Sequence, residues 1–432
     1  MNKKIITALL LPLAFSFAFP VLSKAESIPV QRKAVLVRRG SAAKPAARPA
    51  ARPQTVPAAS RNKAPAAPKA GNQGPEVEVG LLSGSEVNVT GLADFKAESG
   101  GKVIGKYTKD TRLSVTRKGD ALLLNGKNAG NKVYLTTGNS APAFAVKGNR
   151  YRGVMKLIPS SWGNGVTMVN VVPMELYLQG VVPSEIVPSW RADAIKAQAV
   201  AARTYAYFHK NGYRSSGYDV TDDTRSQVYK GVSAETEATN RAVNETAGEV
   251  ITYGGKPIDA LFHSSGGGYT ENSENVWGST VPYLRGVKEA YIGNPWTKTV
   301  SLSSFIKTMN DYGYNVGKLK NIQLSKLNIG QAHRSGDRGI SGRVKKVTLA
   351  GKNGVKSISG EKLQSIYGLD STLFDISIKG GNFVITGYGY GHGLGLSQWG
   401  AEEMAEKQGK GKDFYKNILT YYFNGTKIEK FY

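Results

Sequence analysis

The chain of 432 residues contains no cysteine. That excludes disulfides, thiolate nucleophiles, thiolate zinc sites and lipid attachment through a cysteine. Histidine is almost as scarce. His209, His263, His333 and His392 are the four present, none at the i, i+4 spacing of a helical metal site, and no metal or other cofactor is expected. Acidic residues are few, 32 Asp and Glu against 57 Lys and Arg, which leaves a net charge of +25. The deficit is steepest at the start, where residues 1–75 hold 13 Lys and Arg and a single acid, Glu26. Stability must come from an ordinary core, and a hydrophobic fraction of 40% in a chain of this length supplies one.

Long apolar runs are also missing, with one exception. Ile5 to Leu22 is apolar apart from Pro12, Ser16 and Pro20, follows the basic start Met1-Asn2-Lys3-Lys4, and ends on the small residues of Ser23-Lys24-Ala25. Basic start, apolar middle and small-x-small end describe a secretory signal over residues 1–25. The alternative of an uncut membrane anchor is less consistent with the two prolines and the cleavage-like end. The expected location is therefore outside the cytoplasm: cell wall, periplasm or outer membrane face. A basic surface gathers polyanions in a salt-dependent way. Nucleic acid is the usual first candidate, but an exported chain meets anionic wall polymers, peptide carboxylates and lipid head groups first, and no nucleic-acid partner is expected.

Residues 26–75 are rich in alanine and proline punctuated by Lys and Arg, as in Lys44-Pro45-Ala46-Ala47-Arg48-Pro49. Such a segment buries too little to offset its ordering entropy and reads as an extended basic linker. From 76 to 172 short alternating runs such as Val77-Glu78-Val79, with turns at Lys118-Gly119-Asp120 and Asn125-Gly126, predict mostly β structure. Helices begin near Pro173. A short one is expected to end at Gly180, and a long alanine-rich one to follow Ser189 as N-cap, with small residues at 194, 197, 201 and 202 on one face. Further helices are expected over 234–247, 396–406 and 413–423, and strands over 249–262, 344–349 and 374–385. The fold class is α+β: mixed sheets with a long alanine-rich helix around one substrate cleft, all within residues 76–432.

Three stretches carry chemistry. In Gly180-Val181-Val182-Pro183-Ser184-Glu185-Ile186-Val187-Pro188 a lone carboxyl sits among apolar residues in what reads as a proline-bracketed loop. Apolar surroundings raise a carboxyl pKa, which a general acid needs near neutral pH. Glu185 could equally cap the next helix. In His263-Ser264-Ser265-Gly266-Gly267-Gly268-Tyr269-Thr270-Glu271 small hydroxyls and glycines suit close approach of a ligand, or simply a tight turn; no nucleophile elbow is present. In Gly387-Tyr388-Gly389-Tyr390-Gly391-His392-Gly393-Leu394-Gly395-Leu396-Ser397-Gln398-Trp399 the glycine spacing fits neither a P-loop nor a dinucleotide fingerprint. Its Tyr, His and Trp side chains suit stacking and hydrogen bonding against sugar rings.

Together with Ala194-Ile195-Lys196-Ala197-Gln198-Ala199-Val200-Ala201-Ala202-Arg203-Thr204-Tyr205, these stretches resemble the SpoIID/LytB family of stage II sporulation protein D and the amidase enhancer. The resemblance covers roughly residues 76 to 432. It implies a lytic transglycosylase acting on peptidoglycan glycan strands, with Glu185 as acid and base and Tyr283, in Val281-Pro282-Tyr283-Leu284, supporting it. It also implies a cleft drawing on Gln198, Arg203, Gln227, Tyr229, Ser264, Ser265, Gly267, Tyr269, Thr270, His392 and Gln398. A single conspicuous carboxyl suffices for that chemistry, because no water is activated; paired-carboxylate glycosidases differ. The other reading implied is a non-catalytic wall binder that stimulates a cell-wall amidase. Some members carry His and Cys ligands for zinc near Asp219 to Tyr229; this chain has Ser226 there and no cysteine, so no such zinc is expected. The basic linker is expected to contact anionic wall polymers.

Expressed in a bacterial host, the exported form is expected to begin at Glu26 by N-terminal sequencing. A chain recovered from the membrane fraction with its first residues intact would contradict the cleavage.

Overall fold

The computed structural model describes residues 73–432 except 139, 140 and 410. The expected signal and all of the linker before residue 73 lie outside the described residues. The fold is α+β, as the sequence pattern implied.

Alternation with period two builds the N-terminal part. In Glu76–Gly84 the side chains of Val77, Val79 and Leu81 are buried, and in Arg112–Lys118 those of Leu113 and Val115 are. A seven-stranded sheet runs in the order Val220–Thr221, Glu76–Gly84, Val166–Pro173, Val154–Pro159, Val133–Thr136, Phe95–Ser99, Lys102–Tyr107. A six-stranded sheet runs Asn149–Tyr151, Phe144–Val146, Glu86–Gly91, Arg112–Lys118, Ala121–Leu124, Lys127–Asn128. One parallel pairing, Val79↔Val220 and Gly80↔Thr221, draws the 220–229 segment onto the first sheet.

The strand Val166–Pro173 feeds directly into helix α1, Met174–Glu185. Pro173 is its N-cap, and the exposed first amides find partners outside the helix: Met174 donates to the Pro75 carbonyl at 2.9 Å and Glu175 to that of Gln73 at 3.1 Å. Helix α1 does not stop at Gly180. That glycine is needed for packing, since a Cβ there would sit 2.6 Å from the Tyr229 ring. Pro183 lies in the last turn, where its missing N–H costs one bond, so the helix runs on and ends with Glu185 itself.

Helix α2, Ala192–Phe208, has no glycine or proline. Its buried alanines 194, 197, 201 and 202 let α1 and the helices Glu237–Glu245 (α3), Gln398–Gln408 (α7) and Tyr415–Tyr422 (α8) approach closely. Its N-cap is Arg191 rather than Ser189. The start is fixed by a tertiary contact, the Arg191 amide donating to Glu402 Oε2 of α7 at 2.9 Å. Helix α3 is shorter than its pattern suggested because Thr236 caps it, accepting from the Thr239 amide. Within the expected 249–262 strand region, Glu249–Tyr253 and Lys256–Pro257 pair as a hairpin turning at Gly254-Gly255.

Arg203 of α2 and Glu175 of α1 form a buried, bidentate ion pair, with Nε to Oε1 at 2.8 Å and Nη2 to Oε2 at 2.7 Å. The guanidinium also donates to the carbonyls of Val243 and Glu249 at 3.2 Å each. The carboxylate also accepts from the Gly248 amide at 3.1 Å and the Tyr432 hydroxyl at 2.5 Å. One pair therefore joins α1, α2, the end of α3, the strand Glu249–Tyr253 and the last residue of the chain.

A separate core forms between residues 296 and 387, a unit that short strand signals alone did not reveal. Trp296–Ser301 pairs with Asn382–Gly387, which pairs with Phe374–Lys379. Leu319–Gln323, Lys346–Gly351 and Gly354–Ser359 form a second three-stranded sheet. Helices α5, Leu302–Asp311, and α6, Gly360–Tyr367, close this module around Phe305, Met309, Val347, Leu349, Ile358, Leu363, Phe374 and Phe383. Helix α4, Ser273–Trp277, precedes it.

Breaking a buried pair strands a charge. Arg203→Met is expected to lower unfolding free energy by roughly 3–5 kcal/mol in denaturant titration, and Arg203→Met with Glu175→Leu by less than the single change. A loss below about 1 kcal/mol for Arg203→Met would contradict the role given to the pair.

Candidate active site

Glu185 is the last residue of α1, partly exposed, with one carboxylate oxygen fixed. Its Oε1 accepts from the Val228 amide at 2.7 Å, so the 220–229 segment, anchored on the first sheet, closes over it. Burial holds the carboxyl above its ordinary value, against the lowering effect of that single N–H. A helix C-terminus is also the electronegative end of its dipole, which disfavours a carboxylate further. Among the described residues Oε2 takes no hydrogen bond.

The surroundings of Glu185 are phenolic. Tyr205 of α2 lies near it, with its hydroxyl pushed up to about 12 by burial and then by Asp259. The Tyr205 ring packs tilted against His209 with centroids 4.1 Å apart and meets Phe262 edge-on at 6.3 Å. His209 Nε2 bonds Asp259 Oδ1 at 2.9 Å, and the Asp259 amide donates to the Tyr283 hydroxyl at 3.2 Å. Tyr283 is half-buried and reaches the Glu185 surroundings through Asp259 and Tyr205. Asp222 of the same closing segment is a second carboxyl, raised to about 6 by burial and then by its neighbour Asp223.

Behind Glu185 the polar groups satisfy one another. Tyr177 donates to Gln227 Oε1 at 3.1 Å, Gln227 Nε2 to the Ala202 carbonyl at 3.3 Å, and Tyr229 to Asn170 Oδ1 at 2.8 Å. Gln227 and Tyr229 are buried, so they support the segment that holds Glu185 rather than face a ligand. Arg203 is sealed in the core by Glu175, also away from any ligand surface. Gln198 and Gln398 are buried and bonded to each other across α2 and α7 at 3.3 Å; Gln198 Nε2 has no partner among the described residues.

The two glycine-rich stretches form one knot. Phe262↔Leu396 and His263↔Ser397 pair in parallel, and Ser265 exchanges backbone hydrogen bonds with Tyr390. Gly267, at φ +75°, has no room for a side chain, since a Cβ would meet Leu373 Cδ2 at 2.6 Å. Thr270 is buried and bonded to Val287, and Tyr269 is half-buried beside Lys288. Glu271 accepts from the amides of Asn272, Ile340 and Ser341 and from the Ser341 hydroxyl. Glu289, a buried carboxyl that burial holds above its usual value, accepts from the Gly268 amide and the Tyr422 hydroxyl. Neither Glu289 nor Arg343, which donates to the Gly266 carbonyl at 3.1 Å, drew notice in the sequence; both lie outside the glycine-rich stretches.

On this knot His392 stands at the surface, but both its nitrogens are occupied. Nε2 donates to the Phe262 carbonyl at 3.1 Å and Nδ1 accepts from the Leu394 amide at 3.0 Å. The dense setting, with Arg343 nearby, holds it to about 4, so the ring is neutral at pH 7 and offers a face rather than a proton. Tyr390 is exposed, and Ser264 is half-exposed beside Trp399, whose amide donates to the Ser264 carbonyl at 3.0 Å. Trp399 stacks on Tyr291 at 4.8 Å and meets Trp190 at 4.6 Å. A pocket of about 160 Å³ lies beside His392, lined by Glu271, Arg343, Lys345 and Gln364, and none of Glu185, Tyr205 or Tyr283 reaches it. Among the described residues no three His, Asp or Glu side chains are grouped to hold a metal ion. Ser226 Oγ accepts from the Thr221 amide at 3.1 Å. No helix among the described residues is long and apolar enough to cross a membrane.

Comparison with known proteins supplies the context. A family model described as stage II sporulation protein (SpoIID) matches residues 163–253, and one for a domain of unknown function, DUF8618, matches residues 294–395. The chain is 34% identical over 279 residues to stage II sporulation protein D of Bacillus subtilis, covering 61% of this chain and 76% of that one. It is 34% identical over 290 residues to an uncharacterized protein of Brachyspira hyodysenteriae, covering 66% and 74%. It is 32% identical over 355 residues to the amidase enhancer of Bacillus subtilis, covering 72% of this chain and about half, 48%, of that protein.

Because folding raises the Glu185 pKa, the folded state binds its proton more tightly than the unfolded one. Stability from this group therefore falls as pH rises above the ordinary glutamate value of 4.5. Glu185→Gln keeps the acceptor for Val228 and removes the charge. It is expected to melt at a higher temperature than the parent at pH 7, with the difference shrinking below pH 4.5. A lower melting temperature at pH 7 would contradict the strain assigned to Glu185.

Proposed function

The chain belongs to the stage II sporulation protein D family, and on that premise we propose that it is a lytic transglycosylase of peptidoglycan glycan strands. The family setting is the cell wall. The observation that carries the finer reading is Glu185: a partly buried carboxyl, raised by burial, fixed through one oxygen and free at the other. Such a group is protonated at higher pH than a solvated glutamate and can deliver its proton to a leaving oxygen.

In the proposed reaction Glu185 protonates the glycosidic oxygen between N-acetylmuramic acid and N-acetylglucosamine. As that bond breaks, the muramyl C6 hydroxyl attacks C1 and closes a 1,6-anhydro ring, and its proton passes to the Glu185 carboxylate. The acid is regenerated and no water is consumed. The tyrosines around it, Tyr205 and Tyr283, position the strand and favour the proton-bearing form by keeping the surroundings poor in positive charge. Ser264, Tyr390 and the His392 ring face are the exposed groups suited to hold the adjoining sugars.

The second reading is a non-catalytic wall protein that stimulates an amidase. The likeness to the amidase enhancer across 72% of this chain favours it. So does the burial of Gln198, Arg203, Gln227, Tyr229, Thr270 and Gln398, which leaves few polar side chains for a ligand.

Incubation of residues 73–432 with purified glycan strands, followed by mass spectrometry, is expected to yield anhydromuramyl ends. Glu185→Gln should lower their rate of formation by about 100-fold or more. Strand binding without new ends in the parent protein would overturn the enzymatic reading and leave the enhancer one.

A further inference from the structure

The pocket of about 160 Å³ beside His392 lies between the glycine knot and α6, and the chemistry at Glu185 does not use it. Arg343 and Lys345 line it together with Glu271 and Glu361. Four free charges of this kind would cancel, but they are not equally free. Glu271 Oε1 accepts from the Asn272 and Ile340 amides and from Asn275 Nδ2, and Oε2 accepts from the Ser341 amide and hydroxyl. Its lone pairs are filled, so it anchors residues 340–341 and has no acceptor left for a ligand. Glu361 is exposed in the first turn of α6, where the helix dipole and water satisfy a carboxylate.

Arg343 is only 3% exposed, yet part of its guanidinium lacks an acceptor. Nη1 donates to the Gly266 carbonyl at 3.1 Å and to Ser341 Oγ at 3.4 Å, which ties the side chain to the knot. Nη2 makes one long bond, to the Gly391 carbonyl at 3.5 Å, and Nε has no partner among the described residues. Nε and Nη2 form one edge of the guanidinium, an edge that takes both oxygens of a carboxylate in parallel. Among the described residues neither Arg343 nor the half-buried Lys345 is in an ion pair. Glu271 is filled, and Glu289 is held by the Gly268 amide and the Tyr422 hydroxyl. Burial lowers the Arg343 pKa, an effect that Glu271 and Glu289 oppose at longer range. The knot is shaped to admit the group, since a Cβ on Gly393 would sit 2.3 Å from Arg343 Cζ. A cation held in the interior with unfilled donors is destabilising until an anion completes it.

We infer that Arg343 and Lys345 form a carboxylate-binding site, separate from Glu185, for a ligand carried by the cell wall. The planar fork of Arg343 fits the two oxygens of a carboxylate, and the Lys345 ammonium adds a second, movable donor at the same pocket. With Glu271 and Glu361 already at the pocket, the surplus of positive charge suits a singly charged group rather than a phosphate. Peptidoglycan offers two such groups: the lactyl carboxylate of a muramic acid without its peptide, and the carboxylates of a stem peptide. The carboxylate class rests on Arg343; its source in the wall rests on the proposed function.

Binding is measured on the full chain carrying Glu185→Gln, so that no strand is cut and failure of this site stays distinct from failure of the cleavage reading. The probes are a peptide-free glycan tetrasaccharide, a free stem tetrapeptide, the fully methyl-esterified form of each, and inorganic phosphate. Calorimetry gives affinities, and nitrogen-15 NMR follows the Arg343 Nε–H resonance, assigned with Arg343→Lys. One of the two acids is expected to bind about tenfold or more tightly than its ester and to shift that resonance; which acid does so identifies the source. Lys345→Gln should weaken the same binding by about threefold at an unchanged melting temperature. The comparison of acid with ester needs no change in the knot, so it decides the matter even where Arg343→Lys does not fold. Equal binding of acid and ester, an Nε–H resonance that does not move at saturation, or a preference for inorganic phosphate would each overturn the site.

Discussion

The buried pair of Glu175 and Arg203 is the constraint on which the rest depends. Both side chains are almost wholly withdrawn from water, which is favourable only because every strong donor and acceptor around them is matched. Matching requires four groups from three segments at once: the Val243 and Glu249 carbonyls, the Gly248 amide and the Tyr432 hydroxyl. The pair thus sets the position of α1 against α2. Glu185 is the residue on which α1 ends, and Tyr205 lies half a turn beyond Arg203 on α2. Fixing the first turn of one helix and the fourth of the other fixes the two side chains nearest the proposed chemistry. Conserving geometry through a core ion pair also explains why a motif that looked like a ligand surface turned out to be a frame.

That distinction marks how far the sequence could be read. The long motifs pointed to the family and to the α+β class, because an alanine-rich helix and glycine-rich stretches each have a simple physical signature. They did not separate the groups that face a ligand from those that hold the groups that do. Gln227 and Tyr229 resemble cleft residues in type, yet their hydrogen bonds end on Tyr177, Ala202 and Asn170. Gly180 looked like a helix stop because glycine usually is one; here the missing side chain admits the Tyr229 ring, a contact made 49 residues away and invisible to local reasoning. Glu185 consequently belongs to a helix end, not a loop, and gains the dipole that a loop would lack. Asp222 was passed over although the adjacent Asp222-Asp223 pair is a visible hint of a perturbed carboxyl.

The module between 296 and 387 was the largest omission, for a physical reason. Its strands are short, its lysines interrupt the apolar alternation, and its ends meet only through Trp296–Ser301 against Asn382–Gly387, a pairing of partners over 80 residues apart. Once folded it stands on its own core, and its return strand leads straight into the glycine run that carries Tyr390 and His392.

The central claim is that the protonated Glu185 carboxyl is the working acid. It is tested most directly by titrating that carboxyl by carbon-13 NMR, with Glu185→Gln to assign the resonance, and measuring glycan cleavage over the same pH range. The account predicts a midpoint above the ordinary 4.5 and a fall in turnover on the alkaline side that tracks the same midpoint. A carboxyl that titrates at or below 4.5, or turnover that stays level while Glu185 loses its proton, would contradict it.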